Sequence, residues 1–294
     1  MPTVRETLRL DAPDGLDPVA ILGSLAAHNV PGAEWTDAAT FSHSRLVRGP
    51  RGLLAVTLQF DRAGIDLEVA IDDSDPSERA AEFREITEIV RRWFDLEADL
   101  GPIREALGRD TLLAPLVAAR PSLRVIGSPD RFQSAVTTVL GQQVSLAAGR
   151  TFAGRLVEAF GEPGPNGLRS FPRPAALAAA DPEVLRAAVG LTGARARTVL
   201  ALSQAWADAG HEPDPHELLA IPGIGRWTVD YLSVRFGDRD GFTPGDLVLR
   251  RALGGITPRE AEARSEGWRP FRAYALVHLW TATAYASGSS PSRL

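Results

Sequence analysis

Apolar residues alternate with polar ones in parts of the first hundred positions; further along the chain they recur every three or four. In "GLLAVTLQF", Leu54, Val56, Leu58 and Phe60 take every second position, and in "GIDLEVAID" Ile65, Leu67, Val69 and Ile71 do the same. Successive strand residues face opposite sides, so each run predicts a strand with one buried face. The polar link "DRAG" between them predicts an antiparallel hairpin. "ETLRLD" reads as a further strand. "DPVAILGSLAAHNV" and "SERAAEFREITEIVRRWFDL" carry helical spacing, the second opened by a Ser77 cap. Residues 1–98 therefore predict an α+β domain built on an antiparallel sheet.

From residue 99 to 288 the pattern predicts a helical domain, followed by a frayed polar tail at 289–294. "SPDRFQSAVTTVLGQQVSLAAGRTFAGRLVEAFG" opens with Ser128 as cap and Pro129 at the first helical position. Phe132, Val136, Val139 and Leu140 then recur at helical spacing until Gly141-Gln142-Gln143 breaks the helix, and a second runs to Phe160. Helices follow in "DPEVLRAAVG", "ARARTVLALSQAWADAG" and "DPHELLA"; the last has Asp214 as cap, Pro215 first and Glu217 third, a capping-box arrangement. Mostly helical with an N-terminal α+β domain is the expected fold class.

The most informative stretch is "IPGIGRWTVDYLSVRFGDRDGFTPGDLVLRRAL". A helix cannot continue through Ile221, because the residue before Pro222 disfavours the α region. Gly223 and Gly225 permit positive φ and a close backbone approach, and a new helix starts near Arg226. The result is a helix–hairpin–helix, whose second helix presents unpaired N–H groups and its positive dipole end to an anion such as a phosphodiester. Trp227 and Tyr231, four apart, share one face of that helix. Asp246 stands 21 residues after Gly225, just before an apolar helical stretch. A carboxylate fixed there beside aromatic rings suits a reaction whose substrate turns cationic, such as cleavage of an N-glycosidic bond. Each feature alone has a plainer reading: a tight helix–helix connection, an aromatic core pair, a helix N-cap.

Composition narrows the chemistry. All 32 basic residues are arginine, so a Schiff base on a side-chain amine is excluded. With no Cys, thiolate nucleophiles and cysteine-held clusters are excluded too. His28, His43, His211, His216 and His278 form no metal-ligand spacing. A net charge of −5 argues against polyanion binding through overall charge, although residues 220–275 hold nine Arg against four Asp and three Glu. No apolar run approaches the ~20 residues of a membrane span. A cytoplasmic, nucleoid-associated protein is expected, with no membrane partner.

"LLAIPGIGRWTVDYLSVRFGDRDGFTPGDLVLRRAL" resembles the hairpin and Gly/Pro–Asp signature of the helix–hairpin–helix DNA glycosylases, most of all the alkylation-repair type, DNA-3-methyladenine glycosylase II. "RFQSAVTTVLGQQVS" resembles that family's wedge-bearing helix, "RPFRAYALVHLW" its C-terminal aromatic helix, and residues 1–95 its N-terminal domain. The resemblance implies that Asp246 is the catalytic carboxylate, and that Trp227, Tyr231 and Trp280 form a pocket for a flipped, electron-poor base. It implies DNA contacts at Gly223, Gly225, Arg226, Thr228 and Gln142, with Gln143 filling the gap in the duplex. It further implies a monovalent cation, Na+ or K+, on the carbonyls of Leu219, Ile221 and Ile224, and no required organic cofactor. Trp227 stands where strand-cutting relatives carry a lysine, which implies a monofunctional enzyme acting, as a monomer, on double-stranded DNA with damaged bases. Ser24 stands where close relatives place a pocket-closing aromatic, and polar Gln143 where an apolar wedge is usual; both bear on base selection. A glycosylase for oxidised or mismatched bases and a non-enzymatic DNA-structure binder are the alternatives.

Overall fold

The structure, a computed structural model, describes residues 3–72, 75–209 and 212–285; His211 and the tail 289–294 lie outside them. Five strands form one antiparallel sheet: β1 (Thr3–Asp11), β2 (Glu34–Asp37), β3 (Ser42–Arg48), β4 (Leu53–Phe60) and β5 (Gly64–Asp72), in the order β1-β5-β4-β3-β2. Leu58 pairs with Leu67 in the expected hairpin. Leu54, Val56, Leu58, Phe60, Ile65, Leu67, Val69 and Ile71 are each no more than 5% exposed. Their common face packs on α1 (Pro18–Ala27) and α2 (Pro76–Trp93), which bring Ile21, Leu22, Leu25, Ile86, Val90 and Trp93 to the same core.

Strands β2 and β3 escape the alternation rule, because β3 buries polar residues. His43 is fully buried and Arg45 is 5% exposed. Arg45 pairs with Glu34 at 3.1 Å, donates to Gln133 Oε1 at 2.7 Å, and lies over the Trp93 ring. Buried charges persist only when paired and hydrogen-bonded, and here each one is. Burial alone would raise the Glu34 pKa; Arg45 and His43 outweigh it and hold the carboxylate below its ordinary range. This cluster ties the sheet to the helix that carries Gln133.

The helical part comprises α3 (Leu100–Leu107), α4 (Ala114–Ala119), α5 (Arg131–Gly141), α6 (Leu146–Phe160), α7 (Pro174–Ala178), α8 (Pro182–Val189), α9 (Gly193–Ala209), α10 (Arg226–Arg235), α11 (Leu247–Ala252), α12 (Pro258–Ser265) and α13 (Arg272–Trp280). Val136, Val139, Leu156, Val199, Leu202, Val229 and Leu232 share one core, while Leu107, Val234, Trp268, Tyr274 and Leu276 belong to a second. Helix α10 contributes to both, so its orientation is fixed from two sides. No helix among the described residues is long and apolar enough to cross a membrane.

Three expected helix starts differ in detail. Asp75, not Ser77, caps α2, accepting from the Ser77 N–H at 2.8 Å. Asp130, not Ser128, caps α5, accepting from the Gln133 N–H at 2.9 Å. In both cases an aspartate close to the serine already sits where its carboxylate reaches the first-turn amides. "DPHELLA" forms a 3-10 helix, Pro215–Ala220, capped by Asp214 through the His216 N–H rather than by a capping box. With Pro222 so near, the segment is too short for an α-helix with reciprocal caps.

Candidate active site

The hairpin joins the 3-10 helix Pro215–Ala220 to α10. Of its two glycines only Gly223 has positive φ, at 94°. A Cβ there would lie 2.2 Å from Thr198 Oγ1, which itself donates to the Pro222 carbonyl at 2.9 Å. Gly225, with φ −106°, is the N-cap of α10 and has no side chain to cap with; a Cβ there would meet nothing within 4 Å. The Thr228 N–H bonds the Gly225 carbonyl at 3.0 Å, and with no side-chain cap the Arg226 and Trp227 amides at the start of α10 are left to an outside acceptor.

Gln142 follows α5 directly and turns inward to this loop. Its Nε2 donates to the Gly223 carbonyl at 3.1 Å and to Thr228 Oγ1 at 3.0 Å. Thr228 is 2% exposed, so its side chain braces the hairpin from within, and the half-buried Gln142 ties α5 to it. The structure thus joins these two expected DNA-contacting residues to each other at the hairpin. Arg226 does project outward, its side chain 80% exposed, with Asp230 3.4 Å away. Gln143 is exposed at the tip of the α5–α6 turn and holds φ at 55°, a region that residues other than glycine rarely occupy. Leu219 is exposed at the hairpin, whereas Ile221 and Ile224 bury their side chains, and the Ile221 carbonyl accepts from the Ile224 N–H at 3.0 Å.

Trp227, Tyr231, Trp280 and Asp246 come together from three helices. Trp227 and Tyr231 stack at 5.5 Å between centroids and 14° between planes. Their mutual stacking leaves no slot for a base between them, so the pair forms a wall. Tyr231 and Trp280 meet at 6.0 Å and 49°, making a corner. Asp246 caps α11, its Oδ1 accepting from the Leu249 N–H at 2.8 Å. The same Oδ1 accepts from Trp280 Nε1 at 3.0 Å. Oδ2 makes no hydrogen bond to the described residues. Gly245 lies against Trp227, 3.7 Å from its Cδ1 to an added Cβ. A partly buried carboxylate oxygen thus stands free beside an aromatic corner.

Tyr231 and Trp280 also line a cavity of about 30 Å³, together with, among others, Ser24, His28 and Arg124. That volume has room for about two waters and is too small for a purine. Ser24 is thus brought to Tyr231 and Trp280 as expected. His28 was not anticipated: its Nε2 is 3.2 Å from the Tyr231 hydroxyl, and its Nδ1 is 2.9 Å from the Ser24 carbonyl. The available sequence signal was the spacing of Ala20, Ser24 and His28 along one face of α1. Burial, helped by the nearby Arg235, lowers the His28 pKa to about 4, so the ring is neutral at pH 7. Burial likewise raises the Tyr231 phenol, and the Asp246 charge adds to the rise. The neighbouring carboxylate Asp230 is raised by burial against the opposing pull of Arg226, and it interacts with Glu262 and His216 rather than with the rings.

Comparison with known proteins agrees with this architecture. Residues 7–130 match the AlkA N-terminal domain, and residues 136–270 match the HhH-GPD superfamily of base excision DNA repair proteins. The chain is 36% identical over 299 residues to a probable bifunctional transcriptional activator/DNA repair enzyme AlkA of Mycobacterium tuberculosis, covering 95% of this chain and 57% of that protein. It therefore spans little more than half the length of that relative. It is 32% identical to DNA-3-methyladenine glycosylase 2 of Escherichia coli over 92% of this chain and 94% of that one. Among solved structures, a 3-methyladenine DNA-glycosylase from Archaeoglobus fulgidus shares the fold with a TM-score of 0.78 at 19% identity, over 93% of this chain and 97% of the other.

Proposed function

This chain belongs to the HhH-GPD superfamily of base excision DNA repair proteins, with an AlkA-type N-terminal domain, and on that premise we propose that it is a monofunctional DNA glycosylase excising alkylated purines from double-stranded DNA. The observation that carries this reading is the placement of Asp246: one oxygen fixed by Leu249 and Trp280, the other free beside three aromatic rings. In this reading the amides around Gly223 and Gly225 and the start of α10 bind a backbone phosphate, with Arg226 adding charge. Gln143, at the exposed turn, enters the stack as the damaged nucleotide rotates out, at a cost of a few kcal/mol. A 3-methyladenine or 7-methylguanine base carries positive charge and stacks on the ring faces of the corner. The C1′–N bond then breaks with its electrons leaving on the base, the Asp246 charge stabilises the cationic sugar, and water adds at C1′ and gives up a proton to solvent, leaving an abasic site.

Strand cutting by Schiff-base chemistry needs an amine beside the sugar; the chain has no lysine and presents Trp227 there, which supports base release alone. No organic cofactor enters this scheme. A Na+ or K+ ion on the carbonyls of Leu219, Ile221 and Ile224 would meet oxygen ligands only, as such ions prefer, and the Ile221 oxygen keeps a second lone pair after bonding Ile224. When bound, such an ion adds positive charge beside the phosphate site. The test is to incubate the protein with methylated and, separately, oxidised duplex DNA and to separate free bases by chromatography. Release of 3-methyladenine or 7-methylguanine supports the proposal. Release of 8-oxoguanine alone would favour an oxidised-base glycosylase, and binding without release a DNA-structure binder.

A further inference from the structure

We propose that His28, supplied by the N-terminal domain, determines base selection by holding the Tyr231 hydroxyl proton out of the base site. The inference rests on the glycosylase reading and deepens it. The Ser24 carbonyl can only accept, so His28 Nδ1 carries the ring proton and donates it across 2.9 Å. In the neutral ring Nε2 is then a lone pair, and the Tyr231 O–H at 3.2 Å must be the donor. The low basicity of the partly buried ring keeps it in this state throughout the neutral range.

Two consequences follow for a base resting on the corner. Its acceptor atoms find no hydroxyl proton to bond, so an ordinary neutral purine gains little beyond stacking. A phenol whose proton is engaged by imidazole is more electron-rich, and a cationic base gains from that ring. Selection therefore depends on the charge of the base and not on a hydrogen-bond code. The neighbouring contacts transmit the setting: Tyr231 stacks on Trp227 and meets Trp280, whose N–H fixes Asp246. His28 is thus a positioning residue that acts through Tyr231.

The test measures kcat/KM for release of 7-methylguanine, a cationic base, and of hypoxanthine, a neutral one, from duplex oligonucleotides. His28→Leu removes the acceptor, frees the hydroxyl to bond a neutral base, and should lower the cationic-to-neutral ratio about fivefold to tenfold. His28→Gln, which can return an acceptor oxygen to the same place, should keep the ratio within about twofold of wild type. In a Tyr231→Phe background, His28→Leu should change the ratio by less than about twofold, because the hydroxyl it acts through is gone. A role in packing alone would persist in that background. If His28→Leu does not fold, Tyr231→Phe carries the test by itself, and should lower the ratio through loss of the electron-rich ring. Wild-type release of both bases with ratios unchanged by His28→Leu or Tyr231→Phe overturns the inference and leaves the glycosylase reading intact. A wild-type protein that releases neither base overturns both.

Discussion

Trp280 Nε1 donates to Asp246 Oδ1 at 3.0 Å, on the same oxygen that caps α11 through the Leu249 N–H at 2.8 Å. One carboxylate oxygen is held by two donors from different helices, and its twin is left to the site. The cap sets where the carboxylate sits; the indole sets which way it turns. Trp280→Phe keeps an aromatic face and loses the N–H. It should slow single-turnover base release about a hundredfold, as expected when a reacting group swings away from its target, with duplex affinity little changed. A rate equal to wild type would show that the indole does not orient Asp246.

The two hairpin glycines should separate stability from binding. Gly223→Ala forces positive φ on alanine and drives its methyl into Thr198, so urea unfolding should lose at least about 2 kcal/mol. Gly225→Ala meets open space at an ordinary φ and should change stability by less than about 1 kcal/mol. Its methyl would stand between the α10 amides and a phosphate, weakening duplex binding about tenfold in fluorescence anisotropy.

Gln143 combines exposure with a left-handed backbone at φ 55°. Gln143→Gly keeps that backbone and should leave stability within about 1 kcal/mol, the relief of strain offsetting the freer unfolded chain. Without the side chain, base release from a fully paired duplex should fall about tenfold, while release of the same lesion opposite a gap should be spared, because less pairing has to be undone. Equal losses on both substrates would remove Gln143 from the flipping step.

His28 and His278 are both held near pKa 4, chiefly by burial, against an ordinary value of 6.5. The unfolded chain binds a proton at each position before the folded one does. Stability is therefore fully present above about pH 6.5 and falls as pH drops toward 4, by up to about 1.4 kcal/mol per histidine per pH unit. Urea midpoints at pH 7 and pH 5 check this, and His278→Phe should remove about half of the difference.

The hairpin of β4 and β5 is legible because a strand with one wet face writes its period directly into the sequence. Strand β3 is not, because Arg45 and His43 fill core positions, and their partners Glu34, Gln133 and Trp93 come from elsewhere in the chain. At the site, Asp246 announces itself as a cap, and Trp227 and Tyr231 share a helix face by spacing alone. The contact between Asp246 and Trp280 spans 34 residues, and that between His28 and Tyr231 spans 203, so no local pattern contains them. The bond between Gln142 and Thr228 is hidden for the same reason: the two are 86 residues apart, and only the fold brings them together.

The most direct measurement is base release by Asp246→Asn. The amide oxygen can still accept from Leu249 and Trp280, so the cap and the corner should persist while the negative charge is lost. Release of 3-methyladenine from methylated DNA should fall on the order of a thousandfold with duplex affinity unchanged. An Asp246→Asn protein that releases the base at the wild-type rate would contradict the account.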